Sequence, residues 1–182
     1  MTPRQQRGTA TAEALLDAAL RVLAAEGERG LSVHAVTEAC GVSPGSLYHH
    51  FGSIEGLTSA VTLRWLERLL AEMTAALADA RTARDGIGAA VGAYLAFIRD
   101  HRDAALLIHS PSADLSPFLR WAEARIRCGE LAPLPAPLID ALVLGPMIGV
   151  ARRWLSGRDD VDLEEAARVL PDRIWRAVGS TG

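Results

Sequence analysis

Residues 31–57 read LSVHAVTEACGVSPGSLYHHFGSIEGL, and this stretch decides the fold. Ser32 is placed to cap a short helix over Val33–Cys40, because its hydroxyl can accept from a free N–H of the first turn. Gly41 supplies the positive φ that ends that helix. Ser43 caps a second helix, with Pro44 at its first position, where a missing N–H costs nothing. That helix passes through Leu47 and Tyr48 to about Phe51. Gly52-Ser53 then breaks it and caps the next one. Helix, tight turn, helix is the helix-turn-helix arrangement. A small residue is needed where the two helices cross (Thr37, Ala39 or Cys40). Val36, Val42 and Leu47 are the apolar ties to the helix before. The second helix of such a pair projects polar side chains into a major groove about 12 Å wide.

Upstream, residues 1–12 are polar, with Arg4 and Arg7, and read as a flexible arm. Residues 13–25 have helical spacing: Leu15, Ala18, Ala19, Val22 and Leu23 share a face, and Gly27 and Gly30 stop the helix. Downstream, the spacing predicts helices over 54–80, 85–100, 104–110, 116–128, 138–155 and 163–178. Ser110-Pro111-Ser112 and the Pro-rich stretch 132–137 are breaks. The helix from Ile54 has apolar residues at Leu57, Val61, Trp65, Leu69, Met73 and Leu77, widened by Leu63, Leu66 and Leu70. A helix apolar over so much of its surface touches more than one neighbour, so it should link the two halves of the protein. Asp162 caps the last helix, and Glu164–Arg168 and Asp172–Arg176 are spaced as i,i+4 pairs. Pro146 and Pro171 should kink their helices or break the ladder locally. The fold class is therefore all-α with about nine helices, divided into residues 1–53 and 54–182.

Composition agrees with helix over sheet: hydrophobic residues are 49%, aromatics 5%. Net charge is −3, so no global basic field announces a nucleic-acid partner. All 19 basic residues are arginine. Cys40 and Cys128 are far apart with no CxxC partner, which excludes a disulfide framework or zinc site. Glu13 and Asp17 interrupt any signal-peptide core, and the longest uncharged apolar runs are too short for a bilayer. A cytoplasmic protein with no membrane association is the expectation. There is no Gly-x-Ser-x-Gly, His-Glu-x-x-His or P-loop, so no enzyme, cofactor or metal is expected. His49-His50 is a poor metal pair, because adjacent helical residues diverge by about 100°.

The segment resembles the TetR/AcrR-type regulators. The resemblance lies in Ser32, Val36-Thr37, Cys40-Gly41-Val42-Ser43, Gly45-Ser46-Leu47-Tyr48-His49-His50-Phe51 and Ile54-Glu55-Gly56-Leu57, roughly the first third of the chain. A looser echo is the Arg-Cys-Gly-Glu-Leu turn at 127–131, before a helix containing Gly-Pro. The resemblance implies a DNA-binding set. Ser32 and Val33 would lie near phosphate, as would Ser43. Gly45 and Ser46 would approach base edges, and Tyr48 a phosphate or thymine methyl. His49 would point to bases or phosphate. His34 either reaches phosphate or faces solvent. Leu47 and Phe51 are structural. Ile54 stands where the family often has Lys, and Thr37 and Cys40 replace commoner alanines. Residues 1–52 hold four Arg against five acids, 4 − 5 = −1. Binding from counterion release should then be weak, leaving helix N-termini and hydroxyls to carry contacts.

The resemblance also implies a ligand cavity in the C-terminal part. Trp65, Met73, Tyr94, Phe97, His101, Phe118, Trp121 and Met147 either line it or form ordinary core. His101 and His109 fall near helix ends. Cys128, beside Arg127, is a redox sensor or a small inert hydrophobe. The last two helices, with Leu138, Leu142, Ile148, Leu163, Leu170, Ile174 and Trp175, would pair with their two-fold mates as a four-helix interface, Gly145 and Gly149 permitting close approach. That would set two recognition helices about 34–36 Å apart. The partners expected are double-stranded operator DNA, a second copy of the chain and a small-molecule effector. The function expected is a ligand-responsive regulator, in the usual family outcome a repressor released by a small apolar ligand. The alternative is a helical dimer that has lost operator binding and serves as a ligand-binding or protein-interaction module.

Overall fold

Why each segment is helical follows from its caps and spacing. The computed structural model describes residues 3–108, 116–158 and 160–180, with side chains from residue 8 onward except 28, 116–119 and 136. Nine helices appear among the described residues, and the only β feature there is an isolated bridge. His109, Ser110-Pro111-Ser112, Asp159 and the side chain of Phe118 lie outside the described set, as do the side chains of Arg4 and Arg7.

The chain groups into two units: Met1–Leu66 with Leu106–Ser110, and Glu67–Ala105 with Pro111–Gly182. The first contains α1 (Pro3–Gly30), α2 (Val33–Cys40), α3 (Pro44–Phe51) and the start of α4 (Ile54–Ala78). The arm expected over residues 1–12 is instead helical from Pro3. Proline is tolerated in a first turn, and nothing between Gly8 and Ala12 breaks the ladder. Gly27 interrupts α1 with φ 69° and ψ −171°, a left-handed kink open to glycine. The core of this unit is Leu15, Ala18, Ala19, Val22, Val36, Leu47, Leu57 and Val61. Because Leu57 and Val61 are buried there, the first turns of α4, as far as Leu66, group with the N-terminal unit. Arg64 adds a polar tie, pairing with Glu13 at 2.9 Å and Asp17 at 3.1 Å on α1.

The second unit holds the rest of α4, then α5 (Ala83–Asp100), α7 (Ser116–Arg127), α8 (Ala136–Leu155) and α9 (Leu163–Val178). The short α6 (Arg102–Leu107) straddles the grouping. α5 packs against α9 and α8, and α8 also meets α7 and α9. Phe97, Ile87, Ile98, Ile139, Met147 and Ile174 are fully enclosed. α5 starts at Ala83, two residues before the expected Asp85, because the Thr82 hydroxyl accepts from the Asp85 N–H at 3.1 Å. α8 begins at Ala136 and takes Pro137 into its first turn, so the expected loop over 132–137 is shorter. Pro146 and Pro171 both sit inside uninterrupted helices.

After α9 the tail turns back. Leu131 and Gly179 form an antiparallel bridge, with Ala132 N–H donating to Val178 O at 2.8 Å and Ser180 N–H to Glu130 O at 3.0 Å. The ring of Trp175 lies against Gly179.

Candidate nucleic-acid interface and effector site

The turn is built as its residues dictate. Ser32 Oγ accepts from the Ala35 N–H at 3.2 Å, and Gly41 closes α2 at φ 66°. Gly41 N–H donates to Glu38 O and Val42 N–H to Thr37 O. Thr37, the buried polar residue of α2, turns its hydroxyl to Val33 O at 2.8 Å and His34 O at 3.2 Å. Its polar atom is therefore satisfied by its own helix and the crossing stays small. Ser43 Oγ accepts from the Ser46 N–H at 3.4 Å, and the two hydroxyls lie 3.1 Å apart. Leu47 is wholly buried, which fixes the rotation of α3.

With Leu47 inward, α3 turns Pro44, Gly45, Tyr48 and His49 outward, with Ser46 half-buried. Tyr48 is 53% exposed. The rings of His49 and His50 meet edge to face at 5.2 Å, and His50 reaches toward α1 at Gly8. His50 is thus a packing residue and His49 faces out. Of the other residues in the expected DNA-binding set, Ser32 is exposed as a cap and Val33 is half-buried against the core. His34 is exposed on α2 and pairs with Glu38 at 3.3 Å. The set therefore belongs to one unit: Ser32, Val33 and His34 at the N-terminus of α2, Ser43, Gly45 and Ser46 at that of α3, and Tyr48 and His49 farther along α3.

The reading of the sequence missed Gly56. A Cβ there would stand 2.1 Å from Phe51 O, so the α3–α4 corner closes only over a glycine. Ser53 caps that corner by accepting from the Gly56 N–H at 3.1 Å. The Glu55 carboxyl is held below its usual range, first by its own backbone N–H and then by Ser53.

Residues 15–61 match the family model for bacterial regulatory proteins of the tetR family. Over these residues the chain is similar to regulators of the TetR family. It is 28% identical over 169 residues to the HTH-type transcriptional repressor KstR2 of Rhodococcus jostii strain RHA1, covering 90% of this chain and 76% of that protein. It is 38% identical over 71 residues to the HTH-type transcriptional regulator UidR of Escherichia coli strain K12, covering 39% of this chain and 36% of UidR. The transcriptional regulator FadR from Bacillus subtilis, solved in complex with stearoyl-CoA, has the same fold. The TM-score is 0.75 at 16% identity, over 89% of this chain and 96% of that one. These relatives are HTH-type transcriptional regulators and repressors. Among the described residues, no helix is long and apolar enough to cross a membrane.

The residues expected at an effector site do not all come together. Trp65 packs against the N-terminal cluster, because α4 has not yet left that unit. Met73, Tyr94, Phe97, His101, Trp121 and Met147 belong to the second unit. Phe97 and His101 rings meet at 4.8 Å, edge to face. Burial pushes the Tyr94 phenol up to about 12, opposed by the Arg152 charge. Trp121 sits so close to α5 that a Cβ at Gly86 would stand 2.4 Å from its ring, so the indole is accommodated there by a glycine.

The proposed dimer face also changes. Leu163 and Ile174 are buried within the chain, because they face α5 and α8, and so drop out of the interface list. Trp175 is spent on the tail at Gly179. Leu138, Leu142 and Ile148 remain exposed on α8, with open space beside Gly145 and Gly149, and Val169 is exposed on α9. The expected i,i+4 pairs on α9 are replaced. Arg168 donates to Glu164 O, and Asp172 pairs with Arg84 of α5 at 2.6 Å.

Proposed function

We propose that this protein is a homodimeric repressor that holds operator DNA through α3 and releases it when a small apolar ligand occupies the C-terminal unit. The observation that carries the DNA-binding half is Tyr48 standing out from α3 beside His49, while Leu47 anchors the opposite side. Ser32, Val33, Ser43, Gly45 and Ser46 supply hydroxyls, helix N-terminal N–H groups and close approach. These suit phosphate and base edges without large positive charge. His34 adds a second histidine at the α2 end. Dimerisation through α8 and α9 is supported by the uncharged exposed stripe Leu138, Leu142, Gly145, Ile148 and Gly149.

The effector reading rests on Met73, Tyr94, Phe97, His101, Trp121 and Met147, an apolar set with one phenol and one imidazole. Pockets between bundled helices take ligands of that character. The ligand acts only through different affinities for the DNA-competent and DNA-incompetent states. α4 is one continuous helix with turns in both units, so it is the element those states would differ in. The relative solved with stearoyl-CoA makes long-chain acyl thioesters the first ligands to try.

The test is a gel shift of the protein on the DNA upstream of its own coding sequence, followed by titration of acyl-CoA esters and free fatty acids. Retardation that an acyl ligand reverses supports the proposal. Absence of retardation on any upstream fragment rejects the DNA-binding half. Retardation indifferent to every ligand in the set, without thermal shift, rejects the acyl assignment.

A further inference from the structure

The dimer proposed above leaves open how two chains register and why this chain selects itself. The outward face of α9 carries Glu165, Val169, Arg173 and Arg176, spaced in steps of three and four so that they share one side of the helix, and just before them stands the N-cap Asp162, one of whose oxygens accepts from the Glu164 N–H at 2.8 Å. All five are exposed, and Val169 is 45% exposed at the middle. The acids lie at the N-terminal end and the bases at the C-terminal end. Glu165, Arg173 and Arg176 have no side-chain ion pair among the described residues, whereas Asp172 beside them is already engaged by Arg84 at 2.6 Å. A helix with an acidic head, an apolar middle and a basic foot is complementary to itself only when the second copy runs antiparallel. A parallel copy would set acid on acid and base on base.

We propose that the face selects a second copy of this chain laid antiparallel along α9, with Val169 on the two-fold axis and Asp162 and Glu165 of each copy opposite Arg173 and Arg176 of the other. In an isologous contact every pairing occurs twice, so each charge choice counts double. Charged pairs of this kind govern register and partner choice more than bulk affinity, which the apolar residues of α8 supply. A paralogue with a different order of charges on this helix meets like charges and is rejected. The inference rests on the reading that α8 and α9 form the dimer face, and adds the register and the source of selectivity.

The test is native mass spectrometry and sedimentation velocity on wild type, Glu165→Arg, Arg173→Glu/Arg176→Glu, and an equimolar mixture of the two variants. Each variant alone places like charges across the axis and should dimerise roughly tenfold or more weakly than wild type. The mixture should restore affinity as a heterodimer that outnumbers both homodimers. Homodimers of both variants at wild-type affinity would overturn the register while leaving the dimer reading intact. A wild type that stays monomeric would overturn both. Should either variant fail to fold, Val169→Cys in a Cys40→Ala/Cys128→Ser background keeps the question open to test. Mild oxidation should cross-link it into a disulfide dimer, and failure to cross-link a demonstrably dimeric sample removes Val169 from the axis.

Discussion

Arg125 and Glu130 hold each other at 2.7 Å, and each also holds a helix end. Arg125 donates to Ala80 O at 3.1 Å and Arg81 O at 3.3 Å, carbonyls just past the end of α4. Glu130 accepts from the Ala83 N–H, a free donor at the start of α5. One ion pair therefore fastens the α4–α5 turn to the last turn of α7 and the segment after it. Arg125→Met should lower the urea midpoint of the second unit by removing all three contacts at once. The conservative Arg125→Lys should recover only part, because an ammonium lacks the planar fork.

The same pair gives an acid-side prediction. The Ala83 N–H, then Arg125, hold the Glu130 carboxyl below its usual 4.5. A carboxyl lowered in the folded state stabilises the fold above its unfolded value. That contribution fades as pH falls through 4.5 toward the lowered folded value. Denaturation followed across that range should show Glu130→Gln less stable than wild type at neutral pH. The gap should close in acid, and a constant gap would remove this linkage.

On the alkaline side, Tyr94 is one of two tyrosines, and burial raises it from 10.0 to about 12. A phenol raised in the folded state makes stability fall as pH rises from 10.0 toward 12. Tyrosinate absorbance should show a late phase near 12 that Tyr94→Phe abolishes. Ionisation of Tyr94 near its ordinary value would mean the ring is solvated.

Gly56→Ala should cost on the order of 1–3 kcal/mol, since its Cβ would meet backbone oxygen at Phe51 and something must shift. Operator affinity should fall with the folded fraction, as judged by parallel denaturation and binding curves. Wild-type stability in the alanine variant would show that the corner relaxes freely.

Trp175→Ala should destabilise the chain itself, by roughly 1–3 kcal/mol for a partly buried indole. It should release the 178–180 tail to rapid amide exchange, with dimer affinity little changed. A weakened dimer with an undisturbed tail would return Trp175 to the interface where its sequence position first suggested it.

The N-terminal unit was legible because its constraints are local. Ser32, Gly41, Ser43 and Pro44 act on the backbone within a few residues, and the structure follows each one. Gly56 was missed because its contact is with a carbonyl across a corner, which periodicity does not register. The packing of Trp65 against the N-terminal cluster was not legible for a different reason. A stripe spaced every four residues winds around α4, and nothing in that spacing says where the helix passes from one unit to the other. Leu163 and Ile174 looked like interface for the same reason: an amphipathic helix reports that it has an apolar side, not which neighbour covers it. Glu130 was visible only as part of a family-like turn, and Arg125 not at all. Their partners, Ala80, Arg81 and Ala83, lie more than forty residues earlier.

The most direct measurement is fluorescence anisotropy of labelled upstream duplex against a scrambled duplex, with wild type and Tyr48→Ala. The account expects saturable binding that prefers the upstream sequence at two chains per half-site pair. Its salt slope should be much shallower than about −10, given the acidic balance of residues 1–52. Tyr48→Ala should bind roughly tenfold more weakly while remaining folded and dimeric. Equal affinity for both duplexes, or a Tyr48→Ala curve superimposed on wild type, would contradict it.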